Sequence, residues 1–153
     1  MSQERKITQE EINEMLVHYQ QYRDQVEALT QQLGVIEMSL SDVERAIATI
    51  EGMIGRRKGE ESLIPIGAGS FIHSVLTKPE RVVLGVGAGV CLEMGADAAK
   101  EELVKRREEI ERALSDLTKR LSELTGKIQQ IQRVLEQVQL AEAQQFQQPM
   151  VGQ

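Results

Sequence analysis

Apolar residues recur through the first third of the chain at steps that alternate between three and four residues. This 3.5-residue period is typical of a coiled-coil helix, because it keeps one apolar stripe turned toward a partner helix. The spacing predicts a helix over residues 8–57, which begins with a capping box of Thr8 and Glu11 and ends among the glycines after Ile54. The stripe passes through Ile12, Met15, Tyr19, Tyr22, Val26, Leu29, Leu33, Ile36, Leu40, Val43, Ile47, Ile50 and Ile54.

A second stripe with the same period occupies the last third of the chain and is broken only at Arg107. It predicts a helix over residues 97–146 with Asp97 as its N-cap, followed by a tail over residues 147–153. Two matched arms around a short middle predict a single domain that is mainly α, a long antiparallel two-helix coiled-coil hairpin. Its register is set by placing Ile54 opposite Leu103. The second stripe passes through Leu103, Ile110, Leu114, Leu117, Leu121, Leu124, Ile128, Ile131, Leu135 and Val138.

The middle of the chain, residues 61–95, contains an internal repeat in which Ile66–Ile72 matches Val86–Leu92. Each copy fits a strand, a tight glycine turn and a returning strand, so the repeat predicts two β-hairpins at the base of the coiled coil. Hairpins of this size are marginal alone in water and leave strand edges open, which predicts that they assemble with other subunits. The residues predicted for assembly are Ile64, Ile66, Gly67, Gly69, Phe71, Ile72, Val83, Val86, Gly87, Gly89, Val90 and Leu92.

The predicted register leaves the free tip of the coiled coil unbalanced, because Met15 then faces Glu142 and Ile12 faces Gln145. Apolar side chains without apolar partners stay exposed, and exposed apolar surface usually marks an interaction site. The alternative is end fraying with no purpose. The residues predicted to form a binding surface at the tip are Ile7, Ile12, Met15, Leu16, Leu140 and Phe146, with Met150 and Val151 nearby.

Composition narrows the class of protein. The net charge is −6 and the pI about 5.1, which argues against a nucleic-acid binder that relies on general positive charge. The single cysteine, Cys91, lies in an apolar run and is interpreted as a small core residue in a reducing compartment. The start of the sequence has no apolar signal region, and no run is long enough to span a membrane. We therefore expect a cytoplasmic protein without membrane association.

The sequence offers no constellation for catalysis. The glycine turns lack the spacing of dinucleotide-binding and Walker motifs, and no helix is predicted directly after them. His18 and His73 have no His or Cys partners at metal-ligand spacing. We expect no enzymatic activity, no cofactor and no metal.

Two further features leave alternatives open. The basic clusters Arg56–Lys58 and Lys105–Arg107 either supply helix-end charge and solvation or pair with acidic residues of a neighbouring subunit. Gly34 and Gly126 fall at nearly the same height in the predicted register. They form either a soft point that lets the tip splay or tolerated drift on the outer face.

The segments Leu63–Ile72 and Val82–Val90, set between two heptad arms, resemble the archaeal alpha-type subunits of the prefoldin family. The resemblance covers nearly the whole chain. It implies a hexamer of two alpha-type and four beta-type subunits, in which this chain meets beta-type subunits and a second copy of itself. The hairpins would build a β-barrel body, and the coiled-coil tips would hold non-native polypeptide.

The same resemblance implies an ATP-independent chaperone, a holdase, that passes its clients to a group II chaperonin. Some archaeal relatives with alpha-like sequences instead assemble by themselves into filaments. The alternative function is therefore a self-assembling filament subunit or a structural spacer. The two are distinguished by partner dependence, since a filament subunit would elongate alone.

Overall fold

The computed structural model describes residues 6–147 and contains two long helices with two small antiparallel β-hairpins between them. This arrangement confirms the predicted fold class of a mainly α chain with a small β region. The predicted barrel is a property of an assembly and not of one chain. The elements in chain order are α1 (Gln9–Met53), β1 (Glu61–Gly67), β2 (Ser70–Val75), β3 (Arg81–Gly87), β4 (Val90–Gly95) and α2 (Ala96–Phe146).

The ends of the helices follow local signals in the sequence. The backbone N–H of Thr8 donates to Oε2 of Glu11 at 2.9 Å, and the backbone N–H of Glu11 donates to Oγ1 of Thr8 at 3.2 Å. These reciprocal bonds confirm the capping box. Helix α1 ends at Met53, before residue 57, because Gly55 adopts a left-handed φ of 86°.

Helix α2 begins at Ala96, directly after β4, so Asp97 lies in its first turn and is not the N-cap. The backbone N–H of Ala96 instead donates to the carbonyl of Glu80 at 2.9 Å. A carboxylate in the first turn still suits the positive end of the helix dipole. The predicted tail begins with Gln147, and its other residues, with Met150 and Val151 of the predicted tip, lie outside the described residues.

The chain divides into two compact units, and each contains a stretch of both helices. The terminal unit comprises the described residues 6–35 and 114–147, and the hairpin unit comprises Ile36–Ala113. In both units the stripe positions are the less exposed positions of their helices. Ile54, which follows the end of α1, is exposed. The heptad stripes therefore form the helix–helix seam, as the 3.5-residue period predicts.

The register of the two helices differs from the predicted one by one heptad. In the hairpin unit, Leu103 packs in one cluster with Ile47 and Ile50, and not with the exposed Ile54. In the terminal unit, Tyr19 accepts a hydrogen bond from Nε2 of Gln132 at 3.2 Å. The prediction placed Tyr19 opposite Val138, so the predicted register was wrong. A slip of one heptad keeps every stripe position on the seam, which is why the stripes alone could not fix the register.

The four strands form two separate two-stranded sheets, β1 with β2 and β3 with β4. We call them hairpin 1 and hairpin 2. Both turn through a pair of left-handed residues, Ala68-Gly69 in hairpin 1 and Ala88-Gly89 in hairpin 2. Positive φ at both central residues is the type I′ geometry that matches the twist of flanking strands. The prediction of two repeated hairpins with tight glycine turns is thus confirmed.

Candidate functional site

Hairpin 2 is attached to the helices by an apolar core. Leu84 of β3 is buried in a cluster with residues of both helices, and Val82 and Met94 pack against that cluster. Val82 pairs with Met94 and Leu84 with Leu92, so these four side chains share one face of the hairpin. The buried members of the cluster are Ile47, Ile50, Leu84, Ala96, Ala99 and Leu103.

Polar contacts occur at two further places in hairpin 2, and the first of them joins it to α2. The guanidinium of Arg106 on α2 donates from Nη2 to the carbonyl of Gly85 at 2.7 Å. Glu93 on β4 forms ion pairs with Lys78 at 3.5 Å and with Arg81 at 3.8 Å, and Arg81 also donates to the Glu93 carbonyl at 3.2 Å. The bond to Gly85 occupies a backbone acceptor at the bulge where the β3–β4 register shifts.

Hairpin 1 has the same backbone register, but it contributes no side chain to the apolar cluster. Its positions that correspond to Val82 and Met94 are Ser62 and Ser74, which are half-buried. Ile64, which corresponds to the buried Leu84, is 45% exposed. The backbone hydrogen bonds of hairpin 1 continue for one step beyond the strands, on the side away from the turn. There the N–H of Gly59 donates to the carbonyl of Leu76, and the N–H of Leu76 donates to the carbonyl of Glu60.

All the apolar residues predicted for assembly lie on the two hairpins and are exposed in the chain by itself. Of the four predicted glycines, Gly69 and Gly89 lie in the turns, Gly67 and Gly87 end the strands before them, and all four have positive φ. We call the predicted residues together with Leu63 and Val75 the hairpin surface. Sequence reasoning missed Leu63 and Val75, both 55% exposed, although the strand alternation around Ile64 could have identified Leu63. Its exposed apolar members are Leu63, Ile64, Ile66, Phe71, Ile72, Val75, Val83, Val86, Val90 and Leu92.

Cys91 was predicted to be a small core residue, and this is wrong. Its thiol is exposed on the face of hairpin 2 that carries Val83 and Glu93, opposite to the face that packs on the helices. Cys91 pairs with Gly85 across the ladder, so its neighbour leaves it uncovered. The position corresponds to Phe71 in hairpin 1, which is also exposed.

The second candidate surface lies at the ends of the helices in the terminal unit. Ile12 and Met15 were predicted to lack apolar partners, but in the observed register they are half-buried. Ile12 lines a cleft with Val138, and Met15 lines a cleft with Val134. Their predicted neighbours, Gln145 and Glu142, both line the cleft of Ile12, where Val138 adds an apolar wall, and neither lines the cleft of Met15.

Other predicted tip residues are exposed as expected. Phe146 is 92% exposed and Leu140 64%, and Ile7 lines both clefts described above. Val17, which sequence reasoning did not select, is also exposed beside Leu16. We call the exposed residues Ile7, Leu16, Val17, Leu140 and Phe146 the terminal apolar patch.

The two basic clusters have partners inside the chain. Arg56 lies 3.4 Å from Glu60, and Arg107 lies 4.0 Å from Glu111. Arg106 lies 3.9 Å from Glu102 and also binds the Gly85 carbonyl. Arg56 also donates from Nε to the carbonyl of Gly52 in the last turn of α1 at 3.3 Å, which agrees with the interpretation of helix-end charge for the first cluster. The second cluster lies inside α2, beyond its first turn, so helix-end charge does not describe it. The pairing with a neighbouring subunit stays a prediction.

The two interior glycines do not lie at the same height. Lys127, next to Gly126, lies over the Tyr22 ring at 5.4 Å from the centroid, whereas Gly34 lies about three turns further along α1. A single soft point that uses both glycines is therefore wrong, because it depended on the predicted register. A Cβ at either position would meet nothing within 4 Å.

The described residues, 6–147, contain no group of three or more His, Cys, Asp or Glu side chains that could hold a metal ion. His18 stacks on Tyr22 at a centroid distance of 6.1 Å. Within the same part of the chain, neither helix contains a stretch apolar and long enough to span a bilayer. The two candidate sites are therefore both exposed apolar surfaces, one on the hairpins and one at the helix ends of the terminal unit.

Comparison with known proteins places the chain in a family. Residues 22–141 match the prefoldin family, described as prefoldin subunit. The chain belongs to the prefoldin family. The prefoldin subunit alpha of Methanothrix thermoacetophila is 37% identical over 107 residues, which cover 70% of this chain and 70% of that relative. The prefoldin subunit alpha of Methanosarcina mazei is 33% identical over 102 residues, which cover 65% of this chain and 72% of the relative. The resemblance read from the two hairpin motifs is confirmed.

A solved structure supports the fold. A cryo-EM structure of filamentous PFD from Methanocaldococcus jannaschii aligns with a TM-score of 0.63 and 20% sequence identity. The alignment covers 74% of this chain and 94% of that chain. At this identity the match supports the shared architecture of two helices and hairpins, and nothing more specific.

Proposed function

We propose that this prefoldin-family chain is a subunit of an ATP-independent chaperone that captures non-native polypeptide and delivers it to a group II chaperonin. It acts in the cytoplasm and by binding, without catalysis. The observation that carries the proposal is apolar surface at two separate places, the hairpin surface and the terminal apolar patch. Surface of this kind usually marks interaction sites.

The hairpin surface is assigned to assembly. Two-stranded sheets leave both edges unpaired. Covering the exposed apolar side chains on their faces stabilises the assembly by about 25 cal/mol for each Å² of apolar area removed from water. Strands of beta-type prefoldin subunits and of a second copy of this chain fit this requirement, because they supply both backbone partners and apolar cover. Closing such strands into a β-barrel would remove the open edges altogether.

The terminal apolar patch is assigned to client binding. Exposed Leu, Val and Phe side chains suit the scattered apolar residues of an unfolded chain, and they demand no particular sequence. Ile12 and Met15 stay in this assignment as the walls of the two clefts, with Ile7 shared by both. A client side chain that enters either cleft would contact these half-buried residues without separating the helices.

A second candidate is a filament subunit. The similarity of the fold to filamentous PFD from M. jannaschii favours it, since edge-to-edge joints between hairpins could repeat without closing. In that case the chain would polymerise without beta-type subunits.

The client-binding proposal is tested by suppression of aggregation. The particle assembled with a beta-type prefoldin subunit is added to a chemically unfolded client, and light scattering is followed after dilution. We expect the double variant Leu140→Ser, Phe146→Ser to lose most of the suppression. Met38→Ser is the matched control, because Met38 is 71% exposed in the hairpin unit and outside the patch. Full suppression by the double variant would refute the assignment of the patch.

A further inference from the structure

The two hairpins are copies of one another at the level of backbone. Ile64 pairs with Ile72 as Leu84 pairs with Leu92, and both ladders shift register just before the turn. Any difference in their behaviour must therefore come from side chains and from the contacts that these make with the rest of the hairpin unit.

Those contacts differ sharply between the face that hairpin 2 turns to the helices and the corresponding face of hairpin 1. Hairpin 2 presents Val82 and Met94 beside the buried Leu84 and joins the apolar cluster. Hairpin 1 presents Ser62 and Ser74 beside the half-exposed Ile64 and joins no cluster. Because serines stand where hairpin 2 has valine and methionine, hairpin 1 lacks the apolar burial that would stabilise its docking on the helices.

The polar anchors of hairpin 2 also have no counterpart at the matching places of hairpin 1. Among the described residues, no side chain donates to the carbonyl of Pro65, which corresponds to the Gly85 carbonyl that Arg106 binds. His73 stands where Glu93 pairs with Lys78 and Arg81. A histidine cannot replace a carboxylate in bridging two cations. Hairpin 1 therefore depends on its own ladder and on the backbone pairing at its base.

An isolated two-stranded hairpin is marginally stable at best in water. Hairpin 1 carries apolar side chains on both faces, with Ile64 and Ile72 on one and Leu63 and Phe71 on the other, all 45% exposed or more. Within residues 6–147, no further strand pairs with either of its edges. Only another strand provides the backbone partners and the apolar cover that this segment requires.

From these observations we infer that hairpin 2 is folded on the helices in the free chain, whereas hairpin 1 becomes ordered only when a β-hairpin of a beta-type prefoldin subunit pairs with it. The inference rests on the assembly role proposed above. Hairpin 2 then acts as the preformed contact, and folding of hairpin 1 is coupled to binding, so assembly includes the ordering of one hairpin.

Hydrogen exchange read by mass spectrometry tests this division. In the free chain, diluted until light scattering gives a monomer, we expect amides of β3 and β4 to exchange at least roughly tenfold more slowly than those of β1 and β2. In the particle with the beta-type subunit, we expect exchange in hairpin 1 to slow by about a hundredfold or more. Equal protection of both hairpins in the free chain would overturn the inference.

Variants test whether the protection of hairpin 2 comes from its docking on the helices or from the strands themselves. Val82→Ser with Met94→Ser gives hairpin 2 the serines of hairpin 1, and its exchange in the free chain should approach that of hairpin 1. Val83→Ser is the matched control on the opposite face, where Val83 is exposed, and should leave hairpin 2 protected. Unchanged protection in the double variant would contradict the inference. A chain that shows the expected exchange but forms no particle would refute the assembly proposal and leave the difference between the hairpins standing.

Discussion

Hairpin 1 and hairpin 2 have the same glycine turn and the same strand register, and their sequences repeat at a spacing of twenty residues. They nevertheless differ in their contacts with the helices. The difference resides in few positions: Leu84 is 9% exposed where Ile64 is 45% exposed, and serines replace Val82 and Met94. A repeated motif thus defines the shape of a strand pair, but the side chains on one face decide whether that pair packs on the helices of its own chain. Four predictions test this comparison, beginning with the largest effect.

Ile72→Asp in hairpin 1 should weaken assembly with a beta-type subunit by about 3 kcal/mol, roughly a hundredfold in affinity, because it places an unpaired carboxylate in an apolar contact. Little change is expected in the unfolding of the free chain, since Ile72 is about half exposed. Titration followed by analytical ultracentrifugation gives the affinity. Val17→Asp in the terminal unit is the control, and an equal loss with that variant would show that the effect is not local to the hairpin.

Leu84→Ala in hairpin 2 should destabilise the free chain by about 2 kcal/mol, since it opens a cavity in the cluster with Ile47 and Leu103. The matching change in hairpin 1, Ile64→Ala, should cost less than about 1 kcal/mol in the free chain because its side chain is already exposed. Urea unfolding compares the two. Equal costs would contradict the claim that only hairpin 2 is docked on the helices.

Arg106→Met keeps the aliphatic stem and removes the hydrogen bond to the Gly85 carbonyl. We expect a loss of about 1 kcal/mol, seen as faster amide exchange in β3, because the donor is charged but partly exposed. Arg107→Met is the control, as Arg107 makes only a surface ion pair with Glu111 at 4.0 Å. If both variants behave alike, Arg106 does not anchor hairpin 2.

The smallest effect concerns the turns, where Ala68 and Ala88 hold left-handed φ values of 49° and 50°. Asparagine tolerates this conformation better than alanine, so Ala88→Asn should stabilise hairpin 2 by about 0.5 kcal/mol. In the free chain this should appear as slower exchange in β3 and β4. Ala68→Asn should change exchange in β1 and β2 chiefly in the assembled particle. Matching gains in the free chain would mean that hairpin 1 is already folded there.

Much of the fold could be predicted from the sequence because it is encoded locally. The heptad stripes marked the seam, Thr8 and Glu11 marked the start of α1, and the glycine repeat marked both turns. The register could not be predicted from the stripes, because a slip of one heptad leaves every stripe residue on the seam. That slip decided the environment of Ile12 and Met15, and with it which residues of the predicted tip are exposed.

The candidate site was predictable to a similar extent. Exposed positions such as Phe71 and Val86 followed from strands too apolar for an isolated chain. The docking of hairpin 2 and the exposure of Cys91 did not follow, because they depend on which face of β3 and β4 meets the helices. Comparing the repeats position by position, Ser62 against Val82, is the signal that could have found this difference.

The central claim is that the hairpins assemble this chain with other prefoldin subunits, and size-exclusion chromatography with light scattering tests it most directly. The purified chain is measured alone and after mixing with a beta-type prefoldin subunit from the same source. We expect a discrete particle near the mass of a hexamer in the mixture only. Separate elution of the two proteins, or polydisperse polymers that grow from this chain alone, would contradict the account.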